Sequence, residues 1–143
     1  MVTRQTDIAI IGGGLAGSAT AAMLGRADID ALLVDPHPVY PPDFRCEKLD
    51  RDQVRVLTTT GLEDAVRRAS STSGDVWIAR RGPAHVERKT LGQYYFHYDT
   101  LVNAIRGAIP PAVPLVESKA AAIATGEQRQ QVTLANGDEI WRG

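Results

Sequence analysis

The segment "TDIAIIG" (Thr6 to Gly12) is an apolar run closed by glycine, a pattern that predicts a strand buried on both faces rather than an alternating, half-exposed one. From Leu15 to Arg26 small residues dominate, with Leu15, Ala19, Ala22, Met23 and Arg26 at helical spacing, which predicts a helix lying close on a sheet. "IDALLVD" (Ile29 to Asp35) reads as a second buried strand, ended by "PHPVYPP", whose prolines continue neither a helix nor a central strand. Strand, glycine turn, helix and strand make one βαβ unit with an expected right-handed crossover.

The middle of the chain is less regular. Apolar residues at Val54, Leu57, Leu62, Ala65 and Val66 predict two short helices between Asp50 and Ala69, broken near Gly61. "DVWIARRG" and "KTLGQYYFHY" read as strands joined through Gly82 and Pro83. "DTLVNAIRGAI" reads as a helix with Leu101, Val102 and Ile105 facing inward. "VPLVES" and "KAAAIATGE" are further short strands, and "QQVTLANGDEIWRG" is a hairpin turning at Asn136–Gly137. There is no internal repeat and no low-complexity block.

Composition changes this picture little. The 143 residues are 43% hydrophobic and 23% charged, enough for one globular domain with a real core. Sixteen basic and seventeen acidic residues give a net charge of -1, so no bulk attraction to nucleic acid or an anionic membrane is expected. Cys46 is the lone cysteine, which excludes an internal disulfide and fits a reducing compartment. No segment reaches the roughly 18 apolar residues of a membrane span, and the start carries no signal-peptide pattern. A soluble cytoplasmic protein is expected.

The glycines carry the chemistry. Gly12, Gly14 and Gly17 form G-x-G-x-x-G between a predicted strand and a predicted helix, and Asp35 ends the next strand about 20 residues on. Here Gly12 permits the tight turn, Gly14 lets a pyrophosphate approach the main chain, and Gly17 lets the helix pack on the strand. The N–H groups of the helix start then face the phosphates. Asp35 would accept from an adenosine ribose and disfavour a 2′-phosphate. Spacing alone leaves NAD and FAD both open.

"GGGLAG", the acid at Asp35 and "FRCEKLDRDQVRVLTTTGL" (Phe44 to Leu62) together resemble the N-terminal part of FAD-dependent oxidoreductases of the aromatic-hydroxylase superfamily, which also holds halogenases, epoxidases and geranylgeranyl-reductase-like enzymes. The resemblance implies an α/β, Rossmann-like FAD/NAD(P)-binding fold: a parallel sheet with a βαβ start and inserted β-hairpins. It implies FAD as cofactor, NADH or NADPH as electron donor, and a small-molecule substrate. It also implies roles. Gly12, Gly14, Leu15 and Ala16 offer backbone to the pyrophosphate, Asp35 and Pro36 flank the ribose, and Arg45 reaches the cofactor with a planar fork of donors. Glu47 and Lys48 are weaker candidates beside it. Tyr98 replaces the family's Arg or Gln ahead of a helix leucine, here Leu101, and leaves a hydroxyl as donor toward the ribityl chain. Ala120 falls where the family's backbone meets the adenine. The family continues into a second flavin motif and a substrate domain, so residues 1–143 are expected to be the N-terminal part of an FAD-binding domain, inactive by itself.

The remaining residues have plainer readings. "YYFHY" places Tyr94, Phe96 and Tyr98 on one strand face and Tyr95 and His97 on the other, as core packing or as a wall near flavin or substrate. His37, His85 and His97 lack partners at metal-ligand spacing, so no metal site is expected. Cys46 reads as a quiet thiol, and Trp77 and Trp141 as sheet residues. No Ser–His–Asp or paired-acid constellation is present, and a flavin enzyme needs none, because the cofactor carries the electrons. The alternatives are an NAD-linked dehydrogenase and a non-catalytic nucleotide-sensing module.

Overall fold

The structure, a computed structural model, describes residues 1–127 and 129–142, with the backbone alone at 73, 75–77, 81, 87–91 and 142. In chain order the elements are β1 (Thr3–Thr6), β2 (Ile8–Ile11), α1 (Leu15–Arg26), β3 (Ala31–Asp35), β4 (Cys46–Leu49), α2 (Arg51–Thr60), α3 (Glu63–Ala69), β5 (Thr72–Arg81), β6 (Ala84–His97), α4 (Tyr98–Arg106), β7 (Leu115–Glu117), β8 (Ala120–Thr125), β9 (Gln130–Leu134) and β10 (Glu139–Arg142). They fall into two compact units, Met1–Pro41 with Ile105–Gly143, and Pro42–Ala104.

The first unit holds a parallel sheet of order β2-β3-β7 and a second sheet of order β1-β10-β9-β8. All five residues of β3 are buried, because a central parallel strand is covered on both faces. Its two faces feed two cores. Leu32 and Val34 pack with Val116, Val132, Leu134 and Ile140, whereas Ala31 and Leu33 pack with Ala21 and Val113. α1 buries Ser18, Ala21, Ala22 and Gly25 and leaves Met23 exposed. A β-carbon on Gly25 would stand 2.6 Å from a methyl of Val113, so small residues are what let this helix lie close.

The expectation of one strand over "TDIAIIG", buried on both faces, is corrected here. β1 ends at Thr6 and runs parallel to β10, whereas β2 begins at Ile8 and pairs with β3. Among the described strands β2 is an edge, and Ile8 and Ile11 are 38% and 43% exposed. A continuous apolar run reports the character of the side chains but not how many neighbours the strand has.

The second unit is an antiparallel sheet of order β4-β6-β5 with α2 and α3. α2 starts in a capping box: Asp50 accepts from the Gln53 N–H, and the Gln53 side chain accepts from the Asp50 N–H at 2.9 Å. It ends at Gly61, whose φ of 69° accommodates the left-handed cap that breaks the two helices. Phe96 is buried and His97 exposed, as alternation requires, but Tyr98 does not extend that strand face: it opens α4. Leu101, Val102 and Ile105 are buried, the inward face expected of that helix. In the first unit Gly137, at φ 84°, turns the β9–β10 hairpin, and Asn136 accepts from the Asp138 N–H at 3.0 Å. No helix among the described residues is long and apolar enough to cross a membrane.

Candidate functional site

The turn between β2 and α1 is built by its glycines for reasons internal to the protein. Gly12 has φ 100°, a region that L side chains rarely adopt, and its N–H donates to Val34 O at 2.8 Å, tying the turn to β3. A β-carbon on Gly17 would run into the Gly12 carbonyl oxygen, so this glycine sets the approach of helix to turn. Gly14 is the N-cap of α1, in ordinary extended backbone. No side chain caps the helix and its first turn carries no acid. The main-chain donors at the start of α1, among them Leu15 and Ala16, therefore point out of a helix end that carries partial positive charge. That is a cradle suited to a phosphate.

Asp35, at the end of β3, faces this turn. Its Oδ2 accepts from the Gly13 N–H at 2.7 Å and its Oδ1 from the His37 N–H at 2.9 Å. The Arg106 guanidinium stands 3.2 Å from Oδ1. Burial raises the carboxyl pKa, but the His37 and Gly13 donors and then Arg106 outweigh it, and the group is held below its ordinary range. Asp35 is thus an anion aimed at the glycine turn.

Arg106, the last residue of α4, closes the arrangement. Its Nε donates to Gly13 O at 2.8 Å and its Nη1 to His37 O at 2.6 Å, and its side chain is only 7% exposed. Ser18 Oγ donates to the same Gly13 carbonyl at 2.9 Å. The middle glycine of the triplet is explained here, because a β-carbon on Gly13 would collide with the Arg106 guanidinium and come within 3.0 Å of the Asp35 β-carbon. Neither Gly13 nor Arg106 is marked by the G-x-G-x-x-G pattern, in which Gly13 stands at an unspecified position. That surplus glycine is the one trace of the arginine in the sequence.

The other expected site residues are placed as follows. Pro36 follows Asp35 directly. In the second unit Arg45 and Tyr98 are neighbours: the guanidinium lies 4.1 Å from the tyrosine ring centroid, and the Tyr98 N–H donates to Arg45 O at 2.8 Å. Arg45 also forks onto Asp43, with Nε donating to Oδ2 at 2.9 Å. Glu47 and Lys48 lie in β4, in register with Phe96 and Tyr95. Ala120 opens β8 in register with Leu134 and packs against the first core. Cys46 is exposed, in register with His97. Trp141 Nε1 donates to Glu139 at 3.1 Å, whereas the Trp77 side chain lies outside the described residues. Among the described residues no group of three His, Cys, Asp or Glu could hold a metal.

Comparison with known proteins gives this geometry its context. A family model described as "FAD binding domain" matches residues 5–105. The chain is 30% identical, over 147 residues, to 3-amino-4-hydroxybenzoate 2-monooxygenase of Streptomyces platensis, covering 95% of this chain and 37% of that protein. It is 32% identical, over 104 residues, to 6-hydroxynicotinate 3-monooxygenase of Bordetella bronchiseptica, covering 70% of this chain and 27% of that protein. The chain therefore spans roughly a third of the length of these curated relatives. Among solved structures, p-nitrophenol 4-monooxygenase from Pseudomonas putida superposes with a TM-score of 0.79 at 18% identity, over 99% of this chain and 40% of that one, a likeness of fold.

Proposed function

Since the chain belongs to the FAD binding domain family, we propose that it is the FAD-holding part of a flavin-dependent monooxygenase, with NADH or NADPH as electron donor. The observation that carries this reading is the Gly12–Gly17 turn set against Asp35, an uncapped helix start beside a carboxylate held as an anion. Both curated relatives are named for hydroxylated aromatic acids, which supports a small aromatic substrate here. The near-balanced charge supports a small molecule rather than nucleic acid, and the single cysteine supports a cytoplasmic setting.

Bound flavin would supply the electron transfer and the activation of dioxygen. The chain's own residues bind and orient. Gly12, Gly14, Leu15 and Ala16 give main chain to the pyrophosphate. Asp35 and Pro36 border the adenosine ribose. Arg45 brings a guanidinium whose Nε and Nη2 edge holds Asp43, Tyr98 a ring and a hydroxyl, and Ala120 a main-chain contact for the adenine.

Titration of the protein with FAD, followed by quenching of flavin fluorescence and run beside NAD⁺, tests this. FAD is expected to bind in preference, and Asp35→Ala to weaken it by on the order of 1–3 kcal/mol, the cost of losing a charged acceptor. Preference for NAD⁺ would move the chain to the dehydrogenases, and unchanged FAD affinity in Asp35→Ala would take Asp35 out of the site.

A further inference from the structure

Asp35 does not meet the ribose, on the reading above, as a free carboxylate. A carboxylate offers about four acceptor positions. Gly13 N–H occupies one on Oδ2 and His37 N–H one on Oδ1, and Arg106 Nη2, whose hydrogen bond goes to the Gly13 carbonyl, stands 3.2 Å from Oδ1 as an ion-pair partner and crowds the second position there. The acceptor position left over is on Oδ2, the oxygen already turned to the glycine loop. Arg106 cannot move aside without cost, because its Nε and Nη1 are engaged by two carbonyls, Gly13 O and His37 O, and its side chain is almost wholly buried. A guanidinium is suited to this, since its planar fork reaches several acceptors in fixed directions where an ammonium would meet one. The Tyr40 ring centroid lies 5.7 Å from the guanidinium carbon.

We propose that Arg106 is a positioning residue for dinucleotide binding: by clamping the Gly13 and His37 carbonyls and the Asp35 carboxylate together, it fixes the conformer in which Asp35 presents one oxygen to one ribose hydroxyl. The role rests on Asp35 being the ribose acceptor, and acts through it. Among the described residues, the charged or titratable neighbours of that carboxylate include Arg106 on α4, His37 with its Nδ1 3.6 Å from Oδ1, and Glu117, in register with Asp35 on β7.

The test is FAD affinity across pH for Arg106→Met, Arg106→Lys, Asp35→Asn and the double variants, each with its melting temperature. Arg106→Met should weaken FAD on the order of ten- to a hundredfold and move the acid limb of the affinity profile to higher pH, because the carboxyl has lost its cation. Arg106→Lys should leave the acid limb in place while lowering affinity, because charge is retained and the fork is not. In the Asp35→Asn background neither Arg106 substitution should cost further affinity. A purely structural arginine would lower the melting temperature, leave the acid limb unmoved, and cost the same with or without Asp35; that result overturns the proposal. If Arg106→Met does not fold, the Arg106→Lys and Asp35→Asn cycle decides by the same additivity criterion. Loss of affinity in Asp35→Asn with none in the Arg106 variants removes Arg106 alone, whereas loss in neither removes Asp35 as well.

Discussion

The carbonyl oxygen of Gly12 occupies the space that a side chain on Gly17 would need, and Ile10 Cγ2 stands 3.3 Å from the same point. The obstacle is backbone and cannot rotate away. Gly17→Ala should therefore push α1 off the turn and lower stability by about 1–3 kcal/mol, the usual scale for an overfilled contact. Chemical denaturation reads this directly, and an unchanged midpoint would mean that helix and turn do not approach so closely.

Gly14 behaves differently. Its φ of -70° and ψ of -169° are open to any residue, so Gly14→Val should keep the fold, with a melting temperature within a few degrees of the parent. The added branch would lie at the N-cap of α1, where the pyrophosphate is proposed to meet the main chain, so FAD binding should be nearly abolished. Normal flavin content in a folded Gly14→Val protein would place the phosphates elsewhere.

The contrast among these glycines marks what a sequence can carry. Gly12, the helix from Leu15 to Arg26 and the buried strand ending at Asp35 were legible because each is fixed by local spacing or by burial on both faces. The helix break at Gly61 was legible for the same reason, a left-handed cap. Arg106 was not. An arginine in the last turn of a helix ordinarily complements the helix dipole and faces water, and its partners here lie 93 and 69 residues away, beyond the reach of any local pattern. The division of "TDIAIIG" between two sheets was likewise hidden, because pairing partners are chosen by the whole fold and not by the run itself.

Asp35 should leave a signature in the acid stability of the protein. Its carboxyl is held below the ordinary range, against burial, by the His37 and Gly13 donors and by Arg106. A carboxylate with a lowered folded-state pKa contributes stability that is complete above its unfolded value, near 4, and is lost as pH falls through the lowered value. Asp35→Asn should thus be less stable than the parent by about 2 kcal/mol at pH 7, with the gap closing below about pH 4. Urea titrations at pH 7, 4 and 3 measure it, and a gap independent of pH would show that the charge of Asp35 contributes nothing to the fold.

The capping box of α2 gives a prediction confined to the second unit. Asp50 and Gln53 satisfy each other's backbone donors, and no residue of α2 is buried, so the cap carries an unusual share of what holds this helix. Asp50→Ala should cost about 1 kcal/mol. Asp50→Ser, which restores the cap, should recover most of it in the same denaturation experiment.

Tyr98 offers two different groups, and the structure gives a reason to prefer one. Its ring lies 4.1 Å from the Arg45 guanidinium, and its N–H holds the Arg45 carbonyl, so it supports from both ends the arginine proposed to reach the cofactor. A ring under a guanidinium contributes about 0.5–2 kcal/mol, and phenylalanine supplies most of it. Tyr98→Phe should therefore bind FAD within about threefold of the parent, whereas Tyr98→Leu, which loses the ring, should bind it about three- to thirtyfold more weakly. Arg45→Met should lose at least as much as Tyr98→Leu, and combining the two should add little, because the tyrosine acts through the arginine. If Tyr98→Phe is instead as weak as Tyr98→Leu, the hydroxyl is the working group and donates to the cofactor itself, in place of the family's Arg or Gln.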